Sequence, residues 1–217
     1  MAAKITINKP FVVMLYGFPG SGKSGFAKQL SDELGIAHLQ EDRIATELFG
    51  ERQPGDDPAL KRMMQYVTKE FLRAGVSVVY DADVLKLSDR RAIREMAKQN
   101  KSGSVFVWLQ VDPETAFART QSRDRRKSED KYARNYDQNT FQATLGRMQN
   151  PTHEEYVVIS GKHTFHTQKN AVMKKMYELG IISSDEARSG LVKPELVNIV
   201  PTLGGRTEVL RRNISIR

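Results

Sequence analysis

GFPGSGKS, residues 17–24, lies between the apolar run FVVMLY at 11–16 and the amphipathic stretch FAKQLSDEL at 26–34. It satisfies G-x-x-x-x-G-K-[ST] at every specified position, in the strand-then-helix setting that the mechanics of that motif require. Gly17, Gly20 and Gly22 let the backbone curl so that successive N–H groups face phosphate oxygens, and the helix that follows adds its positive N-terminal end. Pro19, Ser21 and Gly25 complete the expected cradle. Lys23 is placed to reach the outer phosphates, and the Ser24 hydroxyl to join the shell of a Mg²⁺ ion. The stretch therefore reads as a nucleoside triphosphate site, and it sets the fold: a strand must enter the loop and a helix must leave it.

Outward from this loop, short β-branched runs alternate with longer amphipathic stretches. IAHLQ (36–40), VSVVYD (76–81), SVFVWLQV (104–111) and YVVIS (156–160) read as strands after the first at 11–16. Helices are expected from Gly22 to a terminating Gly35, over DRIATELF, and from Pro58 with Leu60, Met64, Val67 and Phe71 at helical spacing. Further helices are expected after Ser88 as N-cap, from Pro113, over FQATLGRM, and over TQKNAVMKKMYEL. Such alternation implies parallel strands joined by right-handed crossovers, an α/β three-layer domain with a five-stranded parallel sheet. The rhythm holds over residues 1–182, with a lid around 119–137. Residues 183–217 form a C-terminal extension whose two strand-like runs flank a glycine pair and read as a β-hairpin on the same domain.

Three stretches suggest what faces the phosphates. Asp42 follows the strand at 36–40, where ligands gather at strand carboxyl ends; it can accept a proton from an attacking hydroxyl, or simply cap the next helix. Asp81 ends the strand VSVVYD and has the position of a carboxylate that holds Mg²⁺, while Asp83 either contacts substrate or caps a turn. Arg119 and Arg123 stand four apart, on one face of a helix, and Arg125 and Arg126 follow. They read as lid arginines closing over a transferring phosphate, or as a solvated charged face.

Composition limits the alternatives. The 217 residues suffice for one domain with a substantial core. There is no cysteine, which excludes disulfides, thiolate metal sites and a cysteine nucleophile. His38, His153, His163 and His166 lack zinc-ligand spacing and read as structural or surface residues. No segment approaches the length of a membrane span, and a cytoplasmic protein is expected. The net charge of +8 favours polyanionic partners, and half of it falls between Arg119 and Arg134, where seven Lys or Arg oppose three Asp or Glu. No N-K-x-D tetrapeptide for guanine is present.

GFPGSGKS, Asp42, VVYDADVLKLSDRR and the RTQSR lid, in this order, resemble the polynucleotide-kinase-like P-loop kinases, a group related to nucleoside monophosphate kinases and zeta-toxin-like enzymes. The resemblance spans roughly residues 11–180. It implies ATP with Mg²⁺, Asp42 as catalytic aspartate, Asp81 beside the metal, and Arg119 and Arg123 in the lid. It further implies that Gly161 lets VVISGKHT approach the adenine, and that Arg90 or Arg91 lies near the acceptor. Arg43, Asp83 and Arg126 are further candidates for substrate contact. The pattern departs in reading Asp42-Arg43-Ile44-Ala45, with alanine where D-x-x-R supplies a phosphate-binding arginine. Arg43 cannot substitute, since one residue along a helix turns a side chain about 100° away. The expected activity is ATP-dependent phosphoryl transfer to a hydroxyl, on a nucleic-acid 5′ end or, alternatively, on a small molecule or nucleotide sugar. A nucleotide-switched nucleic-acid-binding ATPase is the competing expectation.

Overall fold

The structure is a computed structural model that describes residues 5–50, 58–124, 126–127 and 130–184. Its centre is β2 (Phe11–Tyr16), every residue of which is buried. β2 pairs in parallel with β4 (Val78–Asp81) on one side and β5 (Gly103–Gln110) on the other. β3 (Ala37–Gln40) and β6 (Val157–Ser160) flank them, giving a five-stranded parallel sheet in the order β3-β4-β2-β5-β6.

Burial on both faces explains why β2 is a continuous apolar run rather than an alternating one. Phe11, Val13 and Leu15 pack with Phe26 and Leu30 of α1 (Lys23–Leu34) and Val172 and Met176 of α7 (Phe165–Glu178). Val12, Met14 and Tyr16 face the opposite layer, with Leu60 and Met64 of α3 (Pro58–Arg73) and Ile93 and Ala97 of α4 (Leu87–Gln99). α5 (Pro113–Gln121) and α6 (Gln138–Arg147) carry a smaller cluster of Val111, Ala116 and Phe141 beyond the carboxyl end of β5.

The five strands and the long helices thus fall where the sequence pattern places them, and some boundaries move. α4 starts after Lys86, so Ser88 lies inside its first turn and is not the N-cap. α2 (Glu41–Phe49) begins before Asp42, and the N-cap position is Gln40. An N-cap must precede the first helical residue, so capping is not what Asp42 does here. α5 stops at Gln121, which leaves Arg123 beyond the helix instead of on one face with Arg119.

A second, two-stranded sheet pairs β1 (Ile5–Ile7) with β7 (Ile182–Ser184) in antiparallel register. Each strand holds only three residues, too few to show a period of two in the sequence. The hairpin expected after residue 184 lies outside the described residues. Among the described residues, no helix is long and apolar enough to cross a membrane.

Arg90, an expected acceptor contact, belongs to the core. Its side chain is fully buried, and all of its guanidinium nitrogens donate: to Glu154, to the Val84 and Leu85 carbonyls, and to the Gln149 carbonyl. It lies over the rings of Tyr16 and Phe106 at 5.1 and 5.2 Å. Burial pushes the Glu154 carboxyl up, but hydrogen bonds from Arg90 and Arg94 together outweigh it and hold the group below its usual range. Removing one partner of a buried pair costs about 3–5 kcal/mol because the other is stranded. Arg94 also binds Glu154, so Arg90→Ala should fall toward the lower end of that range. Arg91 is exposed, and Arg91→Ala should stay within about 0.5 kcal/mol of the parent. Urea unfolding of the two variants separates them; equal midpoints would overturn this assignment.

Candidate active site

The carboxyl ends of β3 and β4 and the loop after β2 open on a cleft of about 370 Å³ lined by Pro19, Gly20, Gly22, Lys23, Ser24 and Gly25 on one side. On the other side stand Asp42, Asp81, Asp83, Arg119, Arg123 and Arg134. Sequence candidates from four separate segments therefore meet in one place, joined there by Arg134.

The loop owes its shape to two glycines that admit no side chain. Gly20 has φ +83°, and a Cβ there would stand 2.1 Å from the Ala116 carbonyl oxygen of α5. Gly161, in the turn after β6, has no left-handed φ, yet a Cβ on it would meet the Ser21 carbonyl oxygen at 2.4 Å. The loop is thus wedged between α5 and the segment after β6. Gly20→Ala should weaken nucleotide binding by about tenfold or more, since left-handed backbone alone costs an alanine roughly 1–2 kcal/mol. Gly146→Ala, which meets nothing within 4 Å on α6, is the control in a titration with an ATP analogue.

Gly22 takes the N-cap position of α1 in left-handed geometry, and no side chain caps the helix. No acidic residue lies in the first turn either, so nothing in the helix competes with an anion for that end. Lys23 Nζ donates to the carbonyls of Gly17 (2.8 Å) and Phe18 (3.1 Å), folded back along the loop. Burial pushes the Lys23 pKa down, while Asp83 and Asp81 pull it back toward its usual value. Ser21 does not line the cleft: its side chain is fully buried and its N–H closes the turn onto Phe18 O at 3.0 Å. Gly17 too serves by close packing, against the Leu109 carbonyl oxygen.

Asp81 is nearly buried at the end of β4, and its Oδ2 lies 3.1 Å from His38 Nε2 on the neighbouring strand β3. His38 is therefore no bystander, a contact that its sequence position alone did not signal. Ser24 and Asp81, the pair expected to hold Mg²⁺, line the same cleft, and that ion binds through one or two protein oxygens plus phosphate oxygens and water. Among the described residues there is no group of three or more His, Cys, Asp or Glu that could hold a metal by themselves.

The arginines expected in a lid divide. Arg119 Nη1 donates to Gly161 O at 3.0 Å, which joins two residues expected around the nucleotide. Arg123 Nη1 donates to Arg134 O at 2.8 Å. Arg126 is 95% exposed, pairs only loosely with Asp124 at 3.7 Å, and does not line the cleft. Arg43 points elsewhere: it is exposed, and its guanidinium stacks on the Tyr132 ring at 5.5 Å.

Residues 12–151 match the AAA domain family, which covers more than half of the chain. The chain belongs to that family. No curated protein sequence matches it. Its fold is shared with a gluconokinase from Sinorhizobium meliloti 1021 at 19% identity and TM-score 0.56, covering 78% of this chain and 93% of that one. Chaetomium thermophilum Kti12 in complex with ADP-AlF3 aligns at 16% identity and TM-score 0.61, over 77% and 97%. The Mycobacterium tuberculosis APS kinase CysC in complex with AMPPNP and APS aligns at 17% identity and TM-score 0.55, over 78% and 98%. At such identities the likeness is one of fold, that of P-loop kinases.

In this AAA-domain protein Arg134, Glu41 and Tyr136 join the site without a local signal in the sequence. Arg134 Nε donates to Asp42 Oδ1 at 2.6 Å, Nη1 to Asp83 Oδ2 at 3.1 Å and Nη2 to Glu41 Oε2 at 3.3 Å. Burial works against the charged guanidinium, but Asp83 and Asp42 more than compensate and hold it firmly protonated. Burial also pushes the Tyr136 phenol up to about 12, helped by Asp83, so it stays a donor at neutral pH. Arg134 was visible only as the last cation of a basic run; what it binds lies 92 residues away in sequence.

Proposed function

We propose that this protein is an ATP-dependent kinase that transfers the γ-phosphate to an acceptor hydroxyl, with Mg²⁺ as its metal. The observation that carries the reading is that Asp42 lines the same cleft as Lys23, Ser24, Asp81 and the lid arginines Arg119 and Arg123. Loop N–H groups, the uncapped start of α1 and Lys23 fit a polyphosphate, and Ser24 with Asp81 fits Mg²⁺. Bound there, the metal would neutralise charge on the phosphate oxygens. Lys23 leaves its loop carbonyls for the outer phosphates, Asp42 orients the acceptor hydroxyl and takes its proton, and Arg119 and Arg123 face the charge that develops. Transfer of this kind asks chiefly for positioning and charge, which a cleft walled by rigid strand ends supplies.

For the acceptor, a small hydroxyl compound is favoured over a nucleic-acid 5′ end. Ala45, at the place of the phosphate-binding arginine in D-x-x-R, is 1% exposed and packed in the core with Leu60 and Met64. An arginine there would have to enter that core, so the chain has no substrate-phosphate ligand at this point of α2. The polynucleotide-kinase-like reading stands as the second, supported by the basic segment from Arg119 to Arg134.

The test is transfer of labelled γ-phosphate from ATP to a panel of sugars, polyols, nucleosides, nucleotide sugars and 5′-hydroxyl oligonucleotides. Label on a small hydroxyl compound supports the first reading, and label on oligonucleotides alone supports the second. Release of free phosphate only, stimulated by nucleic acid, would overturn both in favour of a nucleotide-switched binding protein.

A further inference from the structure

Residues 130–137 are tied to the cleft through the Arg134 guanidinium. Arg134 stands in a stretch without helix or strand, 130–137, and its side chain is 20% exposed. Each of its three nitrogens donates to a different carboxylate. Two of these carboxylates, Glu41 and Asp42, come from the first turn of α2, and the third, Asp83, follows the end of β4. They are tied to one another as well, because Glu41 Oε2 accepts the Asp83 N–H at 3.2 Å. The carboxylates of the cluster thus come from α2 and from just past the end of β4, and the guanidinium from the stretch without helix or strand.

The same residue reaches the nucleotide side through its backbone. Its carbonyl accepts the Arg123 Nη1 hydrogen bond, so one amino acid holds the proposed base with its side chain and a lid arginine with its main chain. Nearby, the Tyr132 hydroxyl donates to Glu47 Oε1 at 2.9 Å and Arg43 stacks on its ring, giving the lid a second foothold on α2. Fixing one oxygen of a carboxylate fixes the plane in which the other lies, and proton transfer depends on that geometry.

We propose that Arg134 is a positioning residue that fastens residues 130–137 to α2 and sets the carboxylate of Asp42. The second half of this statement rests on the kinase reading above. Lysine cannot replace this residue, because three carboxylates in three directions need the planar fork of a guanidinium. A surface ion pair that merely steadied the lid would not touch the base and would contribute little.

The test uses the full chain with Arg134→Lys and Arg134→Gln, each checked to melt within about 3 °C of the parent. Amide hydrogen exchange over residues 130–137 requires no acceptor and should rise about tenfold in both variants, with the central sheet unchanged. Binding of an ATP analogue with Mg²⁺, followed by calorimetry, should remain within about threefold. With an acceptor identified by the labelled panel, kcat should fall roughly 10²-fold while KM for ATP holds. In the Asp42→Asn background the Arg134 substitutions should add little more, as coupled residues do. Unchanged exchange overturns the fastening. Raised exchange with unchanged kcat overturns the setting of Asp42. If the parent protein phosphorylates no acceptor, the kinase reading falls and the second half of the proposal with it, while the exchange result still decides the first half.

Discussion

Replacing Asp42 by asparagine should lower phosphoryl transfer by about 10²- to 10⁴-fold, the usual contribution of a positioned general base, and leave ATP binding intact. The substitution is nearly isosteric, and the amide oxygen can still accept from Arg134 Nε, which now lies 2.6 Å from Asp42 Oδ1. What is lost is the group that takes the proton and the charge that favours its transfer. The measurement is the initial rate of label transfer beside calorimetric titration with an ATP analogue. A protein that uses ATP only to switch conformation would keep its turnover in this variant. Turnover at the parental rate would therefore remove Asp42 from the mechanism and the kinase reading with it.

Lys23→Ala should remove both functions. Lys23 Nζ is enclosed by the loop it serves and bonds the Gly17 and Phe18 carbonyls. A charge-assisted contact to phosphate in such a setting is worth about 2 kcal/mol or more, roughly thirtyfold in nucleotide affinity. The same ammonium would stabilise charge in transfer, so the rate should drop by a further 10²- to 10³-fold, about the loss when one such donor is deleted. Calorimetry and the transfer assay read the two effects separately. Parental affinity in Lys23→Ala would show that the glycine-rich loop does not hold the nucleotide phosphates. Together the two variants distinguish binding from chemistry, since only one of them should spare the first.

What was legible in the sequence follows from the range over which each signal acts. The run FVVMLY and the loop after it carry their own local explanation, and β2, the loop and α1 lie where they were expected. Asp81 was equally readable, since the last residue of an apolar run in such a sheet must emerge at its carboxyl edge. Arg90 misled because a charged residue on a helix reads as exposed unless its partner is known. That partner, Glu154, is 64 positions away. Asp42 does follow a strand, as expected, in the first turn of α2, but its alternative as an N-cap failed because α2 starts at Glu41. Arg134 and His38 escaped for the same reason as Arg90: their roles exist only once distant segments are brought together.

The strand order has a consequence for how the chain is made. β2 emerges first among the strands of the large sheet, yet its partners are remote: Val12 pairs with Val78 and Phe11 with Gly103. The glycine-rich loop is synthesised early and finished late, because Gly20 is braced by Ala116 and Ser21 by Gly161. A nascent chain exposes this apolar strand for as long as its two neighbours are still inside the ribosome, roughly 5–20 s at about 5–20 residues per second. Nucleotide arriving during synthesis finds no formed cradle until the segment after β6 has been translated. Long-range pairing of this kind slows folding and leaves the strand open to aggregation, which makes β2 the natural point of attack for chaperones on the growing chain.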